Sequence, residues 1–238
     1  MAFRPRERLF LSAPAPGQPI GHDRNRRAFL DLVSAASPGL AAIHASAIPF
    51  GPTRRLEDLL ARLRRGLDDL ALVAPTLHLT LRQLLEQLEA RAGRDAADPP
   101  VPSHGDFKWD QLLEHRGRFA LIDFELFCQA EPAYDVGCFC AYLTPSRPTD
   151  WREGSAAELL RAEFLRGYLG TSVTPPSLAR VGLYEAAVLA IRALGHAWQH
   201  QPDWQLAASQ FLDLAFERLV SPEPLPIDSG NIAAASAS

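Results

Sequence analysis

Ser103-His104-Gly105-Asp106-Phe107-Lys108-Trp109-Asp110-Gln111 sets an aspartate and an amide five positions apart in one polar loop. Leu121-Ile122-Asp123-Phe124-Glu125 ends an apolar run on a second carboxylate. Between them Arg116-Gly117 marks a short turn. Strand–turn–strand geometry can bring Asp106, Gln111 and Asp123 together at one end of a small hairpin. Two carboxylates and an amide converging there suit a divalent cation carrying a phosphate. Lys108 lies in the same loop and is the only lysine; the rest of the 24 basic residues are arginine.

The loop compares with the kinase catalytic-loop pattern, in which His-x-Asp is followed five residues on by Asn. The Asp123-Phe124-Glu125 segment stands where a second metal aspartate belongs, after an apolar strand. A third element follows, Glu131-Pro132-Ala133-Tyr134-Asp135, in which proline near a helix start fits its fixed φ and missing N–H. With all three in order, the chain resembles the large lobe of the aminoglycoside phosphotransferase/choline kinase-like family over about residues 7–220. Leu40-Ala41-Ala42-Ile43-His44-Ala45-Ser46 also resembles a Leu-His helix of that family.

The resemblance implies a fold, a reaction and roles. The fold is mainly α with a minor β part (α+β), a kinase-like large lobe with an embedded catalytic hairpin. The reaction is transfer of a phosphoryl group from ATP (or GTP), with Mg²⁺, to a hydroxyl of a small metabolite or aminoglycoside-like molecule. Carried over position by position, Asp106 is the catalytic base and Asp123 the principal Mg²⁺ ligand. Gln111 takes the second metal position, where the family has Asn, from a side chain one methylene longer. His104 and Asp135 support the loop, Lys108 neutralises charge on the transferred group, and Glu125 is an extra carboxylate. The acceptor pocket is expected in the helices after residue 150.

A kinase of this type also uses a small β-rich lobe and a lysine that pairs with the phosphates. Leu9-Phe10-Leu11-Ser12 through Gly17 resembles the last strand of that lobe and its hinge, and no sheet is expected ahead of Leu9. Residues 1–20 are therefore read as a small-lobe remnant, 21–220 as the large lobe and 221–238 as a disordered tail rich in Ser, Ala and Pro. The rest of the small lobe would come from upstream sequence or another chain. The alternative is a non-catalytic, pseudokinase-like domain that binds a small molecule or a protein.

Helices must position the loop. Leu56, Leu59, Leu60, Leu63, Leu67 and Leu70 recur at spacings of three and four, and Leu77, Leu81, Leu84, Leu85 and Leu88 mark the next helix. A helix is expected over 23–36, interrupted at Ser37-Pro38-Gly39, with a further helical segment over 40–46. Residues 95–102 read as a loop. Helices are expected from Glu131 to about 143, then over 152–169, 177–200 and 204–219. His196 and His200, four apart, lack an acidic partner between them and read as surface or core histidines. The four tryptophans read as core or lid contacts rather than a cation cage.

Composition narrows the class. An apolar fraction of 47% with 22% charged residues over 238 residues gives a globular chain with a sizeable core. A net charge of −4 gives no general attraction to nucleic acid or anionic membrane. No apolar run reaches membrane-spanning length, and the N-terminus lacks a signal peptide's apolar stretch, so a cytoplasmic location is expected. The three cysteines cluster in one apolar region and read as buried, reduced thiols.

Overall fold

The computed structural model describes residues 2–4, 9–11, 14–19, 26–146, 154–199 and 203–223. Within them, helices α1 (Arg26–His44), α2 (Leu56–Val73) and α3 (Pro75–Ala92) precede the β-rich centre. Helices α4 (Pro132–Leu143), α5 (Gly154–Thr171), α6 (Leu178–Gln199) and α7 (Trp204–Val220) follow it. The fold is mainly α, as the resemblance implies. The expected start of α1 at Asp23, together with Trp151, His200 and residues 224–238, lies outside the described residues.

The strands are short. β1 (Ala2–Arg4) pairs antiparallel with β2 (Leu9–Leu11), so among the described residues a single three-residue strand, not a sheet, lies ahead of Leu9. β3 (Gln18–Pro19) joins the edge of β5 (Leu112–His115), where a proline costs no ladder bond that a neighbour needs. β5 and β6 (Arg118–Leu121) form the expected hairpin, with Leu112 opposite Leu121 and His115 opposite Arg118. Arg116 (φ 52°) and Gly117 (φ 74°) turn it, both left-handed as a tight hairpin requires. β4 (Val101–Ser103) pairs antiparallel with β7 (Cys128–Ala130), so Val101 and Pro102, at the end of the expected 95–102 loop, are strand.

α1 is continuous, against the expected interruption at Pro38. Pro38 and Ser34 are both exposed, so water reaches the Ser34 carbonyl that Pro38 cannot bond. On the opposite side Ser37 is buried and its hydroxyl donates to the Phe164 carbonyl at 3.0 Å, pinning α1 to α5.

The core is continuous through the leucine stripes of α2 and α3, the whole of α4 and the inner faces of α5 to α7. α4 is buried almost all round, and α6 packs against both α4 and α7. Cys128, Cys138 and Cys140 are free and buried there. Among the described residues no helix is long and apolar enough to cross a membrane.

Candidate active site

β4 delivers the chain into the His104–Asp106 loop, and the first turn of α4 holds it there. Asp135 is fully buried; its Oδ2 accepts from the His104 backbone N–H at 2.6 Å and its Oδ1 from that of Gly105 at 2.9 Å. His44, at the end of α1, places Nε2 3.4 Å from Asp135 Oδ2 and Nδ1 2.7 Å from the buried Tyr168 hydroxyl. The His104 ring is buried and donates from Nε2 to the Ile122 carbonyl at 3.0 Å, so loop and hairpin are tied one residue before Asp123. Gly105 has φ +85°, and a Cβ there would lie 2.1 Å from the Leu126 carbonyl oxygen, so only glycine fits.

This frame leaves Asp106 partly exposed at the front. Its Oδ2 is 2.9 Å from Lys108 Nζ and 3.1 Å from Gln111 Nε2. The same Gln111 Nε2 is 3.3 Å from Asp123 Oδ2. Gln111 ends a 3₁₀ turn over Trp109–Gln111, and its carbonyl accepts from the Ile122 N–H at 3.0 Å, so hairpin register fixes its distance from Asp123. Asp123 is exposed and left-handed, at φ 67° and ψ 54°, where it caps a 3₁₀ turn over Phe124–Leu126. The structure thus brings Asp106, Lys108, Gln111 and Asp123 together.

Glu125 is not part of that group. It is exposed in the 3₁₀ turn, and among the described residues no three His, Cys, Asp or Glu side chains are placed to hold a metal. The donor set is two carboxylates and one amide. It suits a hard divalent cation in ligand type: both carboxylates lie within hydrogen-bond range of the Gln111 Nε2, and the buried Gln111 Oε1 has no hydrogen-bond donor.

Lys108 keeps its charge. Burial works against the ammonium, but the hydrogen bond and charge of Asp106, with help from Asp110, outweigh it and raise the pKa above its usual value. Its Nζ also lies 5.2 Å from the centre of the Tyr142 ring. Arg192 approaches the same ring at 4.8 Å and that of Phe211 at 4.4 Å. Arg192 is nearly fully buried, and burial lowers its pKa to about 10. Its Nη1 donates to the carbonyls of Ala141 and Thr144, the latter at 2.9 Å, at the C-terminal end of α4.

Sequence reasoning missed several of these groups. Glu131, at the N-cap of α4, pairs with Arg180, accepts from the Tyr184 hydroxyl at 2.7 Å and takes the Asp98 N–H at 3.1 Å. Sequence reasoning gives Arg192 and Tyr142 no functional role. A signal existed: Arg180, Glu185 and Arg192 interrupt the otherwise apolar buried side of α6, and charges in such a stripe are retained when paired. Of the histidine pair, His196 stacks on Phe211 at 5.3 Å, and burial, then Arg192, lowers its pKa. Trp109 packs edge-on against Phe29 at 5.6 Å and donates to the Tyr142 carbonyl at 3.0 Å, whereas Trp198 is 44% exposed.

The fold is that of a kinase-like large lobe, and solved structures share it. A choline/ethanolamine kinase family protein from Mesorhizobium loti superposes with a TM-score of 0.60 at 18% identity, over 90% of this chain and 69% of that one. The choline kinase LicA from Streptococcus pneumoniae gives 0.58 at 18% identity, over 82% of this chain and 66% of that one. A glucosamine kinase in complex with glucosamine, ADP and inorganic phosphate gives 0.57 at 23% identity, over 84% of this chain and 57% of that one. The chain thus spans between just over half and about two thirds of the length of such structures. No curated protein sequence matches it. The chain belongs to the phosphotransferase enzyme family, whose model matches residues 15–184.

Proposed function

We propose that the chain is the large lobe of a small-molecule kinase that moves the γ-phosphoryl group of ATP (or GTP) to a hydroxyl of a small metabolite or aminoglycoside-like molecule. The observation that carries this reading is the Gln111 amide, 3.1 Å from the Asp106 carboxylate and 3.3 Å from that of Asp123. Asp106 orients the acceptor hydroxyl and takes its proton as the oxygen attacks the γ-phosphorus and the bond to the β-phosphate oxygen breaks. Asp123 and Gln111 would hold Mg²⁺, which when bound neutralises phosphate charge. Lys108, kept charged by Asp106, faces the charge that builds on the transferred group. His104 and Asp135 keep the loop backbone fixed, so Asp106 need not be ordered at the moment of reaction.

The acceptor would lie against the helices after residue 150, on the side of Tyr142 and Arg192. The nucleotide would be enclosed by a small lobe from upstream sequence or another chain. A chain of net charge −4 would work in the cytoplasm, away from nucleic acid and membrane. The family match and the kinase-like neighbours support the reaction class.

The test is nucleoside-diphosphate release, assayed with a panel of hydroxylated metabolites and Mg²⁺-ATP, for the wild type and Asp106→Asn in the protein that includes the small lobe. Acceptor-dependent turnover that Asp106→Asn removes while nucleotide binding survives is the expected result. Equal rates for the two would overturn the role of Asp106. One observation favours the second reading, a non-catalytic binding domain: the only lysine is committed to Asp106, so these 238 residues offer no other for the phosphates. Absence of Mg²⁺-ATP binding by calorimetry would favour it.

A further inference from the structure

The carboxamide of Gln111 does two things at once. Its Nε2 reaches both Asp106 Oδ2, at 3.1 Å, and Asp123 Oδ2, at 3.3 Å. Its Oε1 is buried and has no donor among the described residues. The orientation is the one chemistry requires without a cation, because the reverse would face a carbonyl oxygen toward two carboxylates. The side chain is 5% exposed, so the unpaired oxygen has no bulk water to bond. A buried acceptor with nothing to accept, beside two anions, is what an amide looks like when the group that its oxygen serves is elsewhere.

The extra methylene of glutamine over asparagine is what gives this reach. Position 111 is set by the 3₁₀ turn and by the Ile122 N–H bond to its own carbonyl. From that fixed base the longer side chain spans the gap between the loop carboxylate and the hairpin-end carboxylate. Two like charges facing one another otherwise move apart.

We propose that Gln111 is a positioning residue with two settings. Without a cation its NH₂ clasps Asp106 and Asp123 in register. With a divalent cation the amide turns half a revolution about its terminal bond and presents Oε1 to the ion. The clasp keeps the carboxylates assembled before the cation arrives, so the cation enters a formed site. This rests on the phosphotransfer reading above, whose own metal assignment the same experiment tests separately.

The experiment is side-chain amide NMR on the ¹⁵N-labelled full chain. Gln111→Leu identifies the Gln111 NH₂ signals by their loss, and Gln111→Asn does so if the leucine variant fails to fold. Mn²⁺ reports where a cation sits, by broadening the backbone amides of Gly105 and Phe124; Mg²⁺ then serves as the silent ligand. Expected in the metal-free chain are downfield Gln111 NH₂ protons, deshielded by the bonds to Asp106 and Asp123. Saturating Mg²⁺ should move them upfield as those bonds are given up. Broadening at Gly105 and Phe124 with unchanged Gln111 NH₂ shifts would overturn the two settings and leave the phosphotransfer reading standing. No broadening would remove the metal assignment and the two settings together. If the shorter amide of Gln111→Asn shows the same downfield shifts and the same Mg²⁺ response, the requirement for the longer side chain is overturned.

Discussion

Four carboxylates frame the catalytic loop, and they divide into two kinds. Behind the loop, Glu131 and Asp135 sit one turn apart at the start of α4, both buried and both supplied with several donors. In front of it, Asp106 and Asp123 are open to solvent, and share a single amide hydrogen-bond donor. A buried carboxylate whose oxygens are filled by backbone N–H groups holds structure, because nothing is left for a ligand to bond. An open pair pulled together by one shared donor has lone pairs to spare. The same residue type thus serves architecture at the back and, in the proposed reading, chemistry at the front.

The comparison breaks first at the back. Asp135→Ala strands the N–H groups of His104 and Gly105 in a buried site. Each unpaired donor costs about 1–3 kcal/mol, so urea unfolding should show a loss of about 2–5 kcal/mol. A loss under about 0.5 kcal/mol would mean that the loop does not hang from α4.

Gly105→Ala should follow, at about 2 kcal/mol or more, since a new Cβ would meet the Leu126 carbonyl at 2.1 Å from a left-handed backbone. Differential scanning calorimetry checks it, and an unchanged Tm would show that the loop can shift away from the Phe124–Leu126 turn.

At the front the signs change. Asp123→Asn, which keeps a residue at ease at φ 67°, should move stability by no more than about 0.5 kcal/mol, while Mn²⁺ broadening at the loop falls. A large stability loss there would erase the distinction between front and back.

Lys108 sharpens the distinction through pH. Its pKa is raised above 10.5, against burial, by Asp106. Its contribution to stability is therefore complete below pH 10.5 and lost as pH rises through the higher folded value. Asp106→Asn should flatten that alkaline loss; an identical profile in the variant would detach Lys108 from Asp106.

The smallest effect is at the thiols. Burial, first, then the charge of Asp135, pushes Cys128 up to about 12, and burial raises Cys138 and Cys140 well above their usual value. None should react with iodoacetamide at pH 7.5 in the folded chain; rapid labelling would reveal that the α4 region opens.

The front of the site was legible because its information is local. Asp106, Lys108 and Gln111 share one loop, and a hairpin with a two-residue turn carries the chain from Gln111 to Asp123. The leucine stripes of α2 and α3 were legible for the same reason, as each repeats at helical spacing. The back was less so. Asp135 was placed by resemblance, but its bond to His44, 91 residues away, has no trace in local pattern. The Glu131–Arg180 pair spans 49 residues. β4 and β7 are three residues each, too short for alternation to show, and they are strands only because they meet. The break expected in α1 failed because proline's cost depends on whether water can reach the carbonyl it leaves unpaired.

Asp123 has a backbone that few residues accept. At φ 67° asparagine and aspartate are at ease among residues with side chains, and longer or branched ones are strained. Glutamate would keep the charge yet fight the main chain, whereas asparagine would keep the main chain and lose the charge. Aspartate and asparagine codons differ at one base. A single transition at this codon therefore leads to a protein that folds, persists and retains every buried brace, but has lost one of its two front carboxylates.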